Sequence, residues 1–367
     1  MGRTELVSGS EIGDILEGSL AGRRPGEDEC RRLLESDDVH LMGMVAGELA
    51  RREFGGRATY VNNIILNYTN VCITDCKFCA FYRPPGAEDS YVLDLQQIES
   101  RVSAAVSSFG IRQVLIQGGH NPDLGISYYE EAFSMIRSKF PAVGVHGLSA
   151  SEVDMIAKVE KSSTREVLSR LREAGLQSVP GAGAEIFSGR VKEIISPKKI
   201  SGDEWLRIMR EAHEEGLPAS ATMMYGHVER AGEVASHLAE IASLQEETRG
   251  FMAFIPWNYE PNNTQLKEEG VGRRAGGVDL LKMVAISRMM FDGLIPHVQS
   301  SWLTNGVGMA QMALMYGADD FGGTLVGEEV VSCTGARSTE LSGAVITGAV
   351  RQIGYEPVER DNFYNAV

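Results

Sequence analysis

Read for apolar spacing, the chain changes character near residue 60. Before it, "SEIGDILEGSLAG" (10–22) and "GEDECRRLLESDDVHLMGMVAGELARREFGG" (26–56) carry apolar residues at helical spacing and close on glycines that stop a helix. After it, short apolar or β-branched runs alternate with amphipathic stretches. The runs are "YVNNIILNYT" (60–69), "RQVLIQGGH" (112–120), "AVGVHGLS" (142–149), "SVPGAGAEIF" (178–187), "SATMMYGH" (220–227), "GFMAFIPWNYEP" (250–261), "PHVQSSW" (296–302) and "DDFGGTL" (319–325). Between them lie helical patterns such as "DLQQIESRVSAAVSSFG", "TREVLSRLREAGL" and "SGDEWLRIMREAHEEGL". Strands alternating with helices imply parallel strands joined by crossovers. Eight of them predict an α/β fold of the closed (β/α)8 TIM type, with an open doubly wound sheet as the alternative that periodicity alone leaves standing. The expected division is a helical extension over 1–58, a barrel core over 59–330 and a helical segment over 331–367 packed on the barrel.

Polar and glycine residues gather where each predicted strand ends: three cysteines after the first, then "QGGHNP", "HGLS", "GAGAE", "MYGH", "PWNYEPNN", "SWLTNG" and "GGT". In a (β/α)8 barrel these segments meet at the C-terminal mouth, where such folds build active sites. A lone histidine is ordinarily a packed polar residue. His120, His146, Glu185, His227 and Trp257 on one rim point to an enzyme.

Composition narrows the class. The 367 residues are 43% apolar and 23% charged, the balance of a globular chain, and the formal charge of −15 repels phosphate backbones and anionic lipid. Nucleic-acid and membrane partners are therefore not expected. No apolar run approaches the length of a membrane span, and the N-terminus lacks the apolar core of a signal peptide. Five unevenly spaced cysteines do not form a secreted disulfide framework. The expected location is the cytoplasm.

Three of the five, Cys72, Cys76 and Cys79, fall within "CITDCKFC". Structural zinc takes four protein ligands, and no fourth is paired with them in sequence. A redox C-x-x-C leaves Cys72 idle. An electron-carrying cubane takes four thiolates, whereas three leave one iron with an open position. With an aromatic residue just before the last cysteine, "CITDCKFC" resembles the signature of the radical S-adenosylmethionine (SAM) superfamily. "NYTNVC", "CKFCAFYRPPG", "QGGHNPDL", "PGAGAEI", "ATMMYGHVE", "FIPWNYEPNNT", "SSWLTNG" and "DFGGTLVGEEVVSCTGA" extend the likeness over about 20–355 to the menaquinone-pathway branch, the cyclic dehypoxanthine futalosine synthases. Aminofutalosine synthase and the tyrosine-using subunit of deazaflavin (F0) synthase are the alternatives. One departure is Ala182, where the family usually carries glycine.

The resemblance implies a [4Fe-4S] cluster held by Cys72, Cys76 and Cys79, whose fourth iron is chelated by SAM. It implies a reducing partner such as flavodoxin or ferredoxin. SAM contacts are expected from Phe78, Gln117, Gly118, Gly119, Glu185 and Lys198, with Lys199 equally available. The implied reaction takes hydrogen from the ribose C4′ of dehypoxanthine futalosine through a 5′-deoxyadenosyl radical, and the resulting carbon radical adds to the benzoate ring. Catalytic candidates are His120, His227 and Tyr225. Substrate contacts are expected from Asn121, His146, Trp257, Asn258, Glu260 and Trp302, and Arg83 is a candidate anion ligand. Core packing is the competing reading for every aromatic among them.

Overall fold

The computed structural model describes residues 9–336 and 339–367. The change of pattern near residue 60 is where helices give way to a barrel. Helices Gly13–Leu20, Glu27–Glu35 and Val39–Phe54 come first, and Gly55, at φ 63°, ends the third in the left-handed conformation. The strands are β1 (Arg57–Val61), β2 (Asn63–Asn67), β3 (Gln113–Gln117), β4 (Gly144–Gly147), β5 (Ala219–Tyr225), β6 (Phe251–Asn258), β7 (His297–Val298), β8 (Asp320–Gly323) and β9 (Glu356–Glu359).

The pairing closes into a ring. β2, β3 and β4 run parallel in that order, as do β5, β6 and β7. Residues 178–179 bridge the two groups, Ser178 to His146 and Val179 to Ala219, both parallel. Gln299 pairs with Asp320, β8 pairs with β1, and Val326 pairs with Ile64 of β2. β1 and β2 are therefore one stave interrupted at Asn62, and among the described residues eight parallel staves surround a common axis. All eight runs read from the sequence supply a stave, and the open sheet is excluded.

Crossover helices cover the outside with ordinary chemistry. Helix Leu95–Phe109 starts on Asp94, whose carboxylate accepts from Gln97 N at 2.8 Å, and turns only Ile98, Val102 and Ala105 fully inward. Helix Gly277–Phe291 is buried along nearly its whole length because the N-terminal helices cover its outer side. No helix among the described residues is long and apolar enough to cross a membrane.

The stretch after residue 331 is less helical than the sequence suggested. Helix Gly343–Gln352 is followed by β9, which adds parallel to the outer edge of β1. The chain then turns under the barrel. Arg360 meets Asp320 through two hydrogen bonds of 2.9 and 3.0 Å, and both side chains are buried. Asn362 accepts from Gln113 Nε2 at 2.8 Å and donates to Ser178 Oγ at 2.9 Å. Gln113 and Gly144 are the first residues of β3 and β4, so this segment forms the floor of the barrel. The mouth lies at the other end.

Candidate active site

The cysteine loop leaves the top of β2 and is stapled to itself. Cys72 N donates to Arg83 O at 2.8 Å, Arg83 N to Asn70 O at 2.7 Å and Cys79 N to Cys76 O at 3.0 Å. The Arg83 guanidinium donates to the Ala80, Phe81 and Tyr82 carbonyls and pairs with Asp89 at 2.5 Å. Arg83 thus commits its Nε and Nη1 to shaping the loop. All five cysteines are free thiols, and Cys76 is buried. Burial pushes the Cys76 thiol up to about 12 against the opposing pull of Lys199. A thiol so held is a poor nucleophile, which weakens the redox-disulfide reading; it becomes a thiolate when a metal cation takes the proton's place.

The segment after β3 forms the wall against this loop. A Cβ on Gly119 would sit 2.1 Å from Val71 O and 3.0 Å from Cys72 Cβ, and one on Gly118 would strike the Tyr68 ring at 2.7 Å. Only glycine lets the two backbones approach this closely. His120 continues the wall. Its carbonyl accepts from Ile73 N at 3.1 Å, and its Nδ1 lies 2.5 Å from Thr74 Oγ1. Burial lowers the imidazole to about 3, so it is neutral at pH 7 and holds the loop between Cys72 and Cys76. Asn121 is buried and folds back to accept from Asp123 N at 3.0 Å, forming a local turn.

Across the loop, a buried carboxylate, one buried ammonium group and one largely buried ammonium group form a cluster. Glu185 accepts from Lys199 Nζ at 3.0 Å, and Lys192 Nζ lies 3.7 Å from its other oxygen and 3.1 Å from Gly183 O. Burial opposes the charge on Glu185, but Lys199 and Lys192 outweigh it and leave the carboxyl below its ordinary value. Glu185 itself sits at φ 45°, a strained conformation for a residue with a side chain. Lys199 Nζ also lies 5.7 Å from the centre of the Phe78 ring, and a groove of about 240 Å³ opens beside Lys192, Lys199 and Phe187.

Lys198 behaves differently. It is exposed and pairs with Asp75 at 2.7 Å, so of the two adjacent lysines it is Lys199 that faces the cysteines. Replacing Lys199 by Met takes from buried Glu185 its hydrogen-bonded counter-charge and leaves Lys192, 3.7 Å away, as the remaining cation of the cluster. The expected cost is on the order of 3 kcal/mol, together with a loss of cofactor affinity; Lys198→Met leaves both unchanged, as checked by thermal melts and equilibrium dialysis.

Ala182, the departure from the family pattern, is harmless to the backbone. It is not among the residues at positive φ, whereas Gly183 is at φ 91° and a Cβ on Gly181 would lie 2.6 Å from Ser220 O.

The remaining candidates divide between mouth, floor and scaffold. His146 belongs to the floor: its Nδ1 lies 2.7 Å from Ser178 Oγ, the hydroxyl that Asn362 holds. β4 continues past it, so Leu148 and Ser149 occupy the rim position expected for His146. His227 has both ring nitrogens engaged, Nε2 3.0 Å from Met224 O, and Nδ1 2.8 Å from Val228 N and 3.1 Å from Glu229 Oε2. These contacts all lie within residues 224–229, so His227 shapes its own loop. Trp302 is buried and donates to Gly323 O at 2.9 Å, packing β7's end onto β8. Asn258 and Glu260 remain at the mouth, 3.3 Å apart. Asn305 donates to Asn258 at 2.7 Å, and Arg274 pairs with Glu260 at 2.6 Å. Tyr225 is buried with no partner for its hydroxyl among the described residues, and Trp257 is half-buried.

Residues 66–241 match the Radical SAM superfamily, and 248–367 match the CofH/MqnC C-terminal region. A cyclic dehypoxanthine futalosine synthase of Streptomyces coelicolor is 40% identical over 98% of this chain and 90% of its own length. The 5-amino-6-(D-ribitylamino)uracil–L-tyrosine 4-hydroxyphenyl transferase of Methanopyrus kandleri is 36% identical over 99% and 96%. Among solved structures, the [FeFe]-hydrogenase maturase HydG superposes with a TM-score of 0.74 at 18% identity, covering 97% of this chain and 78% of that one, a likeness of fold alone. The chain belongs to the radical SAM superfamily.

Radical SAM enzymes as a class carry a [4Fe-4S] cluster and SAM, and the donor set here suits both. Among the described residues no three His, Cys, Asp or Glu side chains converge closely enough to hold a single metal ion. Cys72, Cys76 and Cys79 are nonetheless near enough to influence one another electrostatically. A cubane distributes its irons over separate corners and takes one thiolate at each. Lys199 and Glu185 beside Cys76 supply one cation and one anion, opposite charges suited to a zwitterionic amino-acid moiety and a ribose. Lys192, Thr74 and Glu152 are the residues sequence reasoning passed over, and it left the choice between Lys198 and Lys199 open. Glu152 looks like any capping glutamate in the first turn of a helix, and nothing in "SPKK" says which lysine turns inward.

Proposed function

We propose that this enzyme converts dehypoxanthine futalosine to cyclic dehypoxanthine futalosine in menaquinone biosynthesis. The observation that carries the reading is near-full-length 40% identity to the Streptomyces coelicolor protein of that name, on a chain that keeps three free thiols at the barrel mouth. Cys72, Cys76 and Cys79 hold the cluster, and Gly118, Gly119, Glu185, Lys199 and Phe78 seat SAM. The bound pair supplies a 5′-deoxyadenosyl radical able to take hydrogen from the ribose C4′. Trp257 and Tyr225 wall the mouth against water, and Asn258 with Glu260 contacts the ribose hydroxyls. Unlike His227, His120 keeps its Nε2 clear of the bonds that hold the cysteine loop, but its depressed basicity suits it to donating or accepting a hydrogen bond rather than to holding a proton. The Tyr225 hydroxyl, buried without a partner among the described residues, is the group best placed to meet substrate. A flavodoxin or ferredoxin in the cytoplasm delivers the electron, a setting that agrees with five unbridged cysteines.

The 36% identity to the Methanopyrus kandleri transferase makes a tyrosine-derived substrate the second reading. Reduced, reconstituted enzyme is offered SAM with dehypoxanthine futalosine, or SAM with tyrosine and 5-amino-6-(D-ribitylamino)uracil. The expected result is 5′-deoxyadenosine and a cyclised nucleoside in the first mixture only. Product in the second mixture and none in the first reverses the assignment.

A further inference from the structure

Outside the thiol loop and the lysine cluster lies a buried carboxylate that neither uses, that of Glu152. Glu152 lies in the first turn of helix Ala150–Glu160 and is 3% exposed. Its Oε1 accepts from Gly118 N at 2.9 Å and from the Tyr68 hydroxyl at 3.0 Å. Its Oε2 accepts from Ser149 N and from Ser149 Oγ, both at 2.7 Å. The Tyr68 oxygen is itself within 3.3 Å of the Tyr129 hydroxyl, which donates to it and leaves the Tyr68 proton for Glu152. Two backbone amides and two hydroxyls thus converge on two oxygens, and all four donate. Only an ionised carboxylate offers that many acceptor sites and no hydrogen of its own.

The four donors come from three different stave ends. Tyr68 follows β2 and leads into the cysteine loop, Gly118 follows β3, and Ser149 follows β4. Gly118 lies against the Tyr68 ring, and Gly119 lies against Val71 and Cys72. A shift of the Gly118 amide therefore moves the backbone that touches the first cysteine.

We infer that Glu152 is a positioning residue that locks the Gly118–Gly119 segment against the cysteine loop and so sets the shape of the SAM seat. The inference rests on the proposed cofactor site. Substitution by glutamine keeps size and shape but turns an NH₂ group toward two donors, whichever way the amide is placed. E152Q therefore loosens the wall without removing a cluster ligand.

The test uses full-length enzyme reconstituted anaerobically, with iron and sulfide counted and the electron paramagnetic resonance of the reduced cluster followed during SAM titration. E152Q is expected to load as much iron as the unaltered protein, to need at least 10-fold more SAM for half of the spectral change, and to regain turnover at high SAM. A merely structural role would lower iron content and turnover together and leave the SAM titration of the loaded fraction unmoved. An E152Q titration that overlays the unaltered protein's overturns the inference. Should E152Q fail to fold, Tyr68→Phe removes one donor and keeps the ring on Gly118; about a threefold rise in half-saturation is expected, and none overturns the inference. An unaltered protein whose spectrum ignores SAM sinks the cofactor reading itself, and the role of Glu152 with it.

Discussion

Changing Cys72, Cys76 or Cys79 singly to Ala abolishes SAM cleavage, with a loss of at least about 10³-fold and most of the iron gone from the reconstituted protein. The reason is arithmetic. Three thiolates on a four-iron cluster leave one corner open, and removing any one leaves two protein ligands where the cluster needs three. Cys30→Ala and Cys333→Ala keep activity and iron. Cys30 is buried in the N-terminal helices, where burial pushes its thiol up to about 12. Cys333 sits in the short 3-10 turn Ser332–Thr334, outside the cysteine loop. Iron and sulfide analysis of all five variants, with 5′-deoxyadenosine measured by chromatography, decides the matter. Equal damage from Cys30→Ala reassigns the cluster ligands.

The second large effect belongs to the floor. Arg360→Met leaves Asp320 buried with its charge uncompensated. Burial alone raises the Asp320 carboxyl, and the charge of Arg360 with the hydrogen bonds from Arg360, Gln299 and Thr59 outweighs it, holding the group below its ordinary value. Thr59 Oγ1 at 2.8 Å and Gln299 Nε2 at 3.1 Å still donate, so the carboxylate keeps two hydrogen bonds and loses its counter-charge. The expected destabilisation is about 3–5 kcal/mol. Arg360 also lies 3.7 Å from the Tyr364 ring centre, a stacking contact that Met replaces only in part. Denaturant unfolding of R360M, D320N and the double variant measures the coupling. Near-additive losses from the two single changes, each under about 1 kcal/mol, show the pair to be dispensable.

The fold was legible because barrel staves announce themselves twice, by a short apolar run and by the glycine or polar residues that end it. Even "DDFGGTL" and the two-residue contact at 178–179 were found this way. β9 was not. "EPVE" is half-exposed on the outer edge of β1, so it carries no buried alternation to read, and the segment passed for helical. In the site, the cysteines were legible because their spacing is itself the chemistry. The histidines were not. His120, His146 and His227 look alike in sequence, but they occupy respectively the wall of the cysteine loop, the floor and a self-contained loop, because His146 lies within its strand while the other two lie past theirs. Glu152 and Lys199 owe their roles to neighbours far along the chain, 84 residues to Tyr68 for the first, and no local pattern records them.

The seam between β1 and β8 brings together positions 261 apart in Thr59 and Asp320, and the floor is fastened only when Arg360 arrives. β1, the lower half of the first stave, therefore waits through nearly the entire synthesis of the polypeptide for both of its partners, β8 on one side and β9 on the other. Until then its edges are unpaired backbone, open to the wrong partner. A nascent chain halted between residues 330 and 355 would present a nearly complete cylinder whose underside still carries a naked acidic charge, which makes that late interval the one in which a chaperone has most to protect.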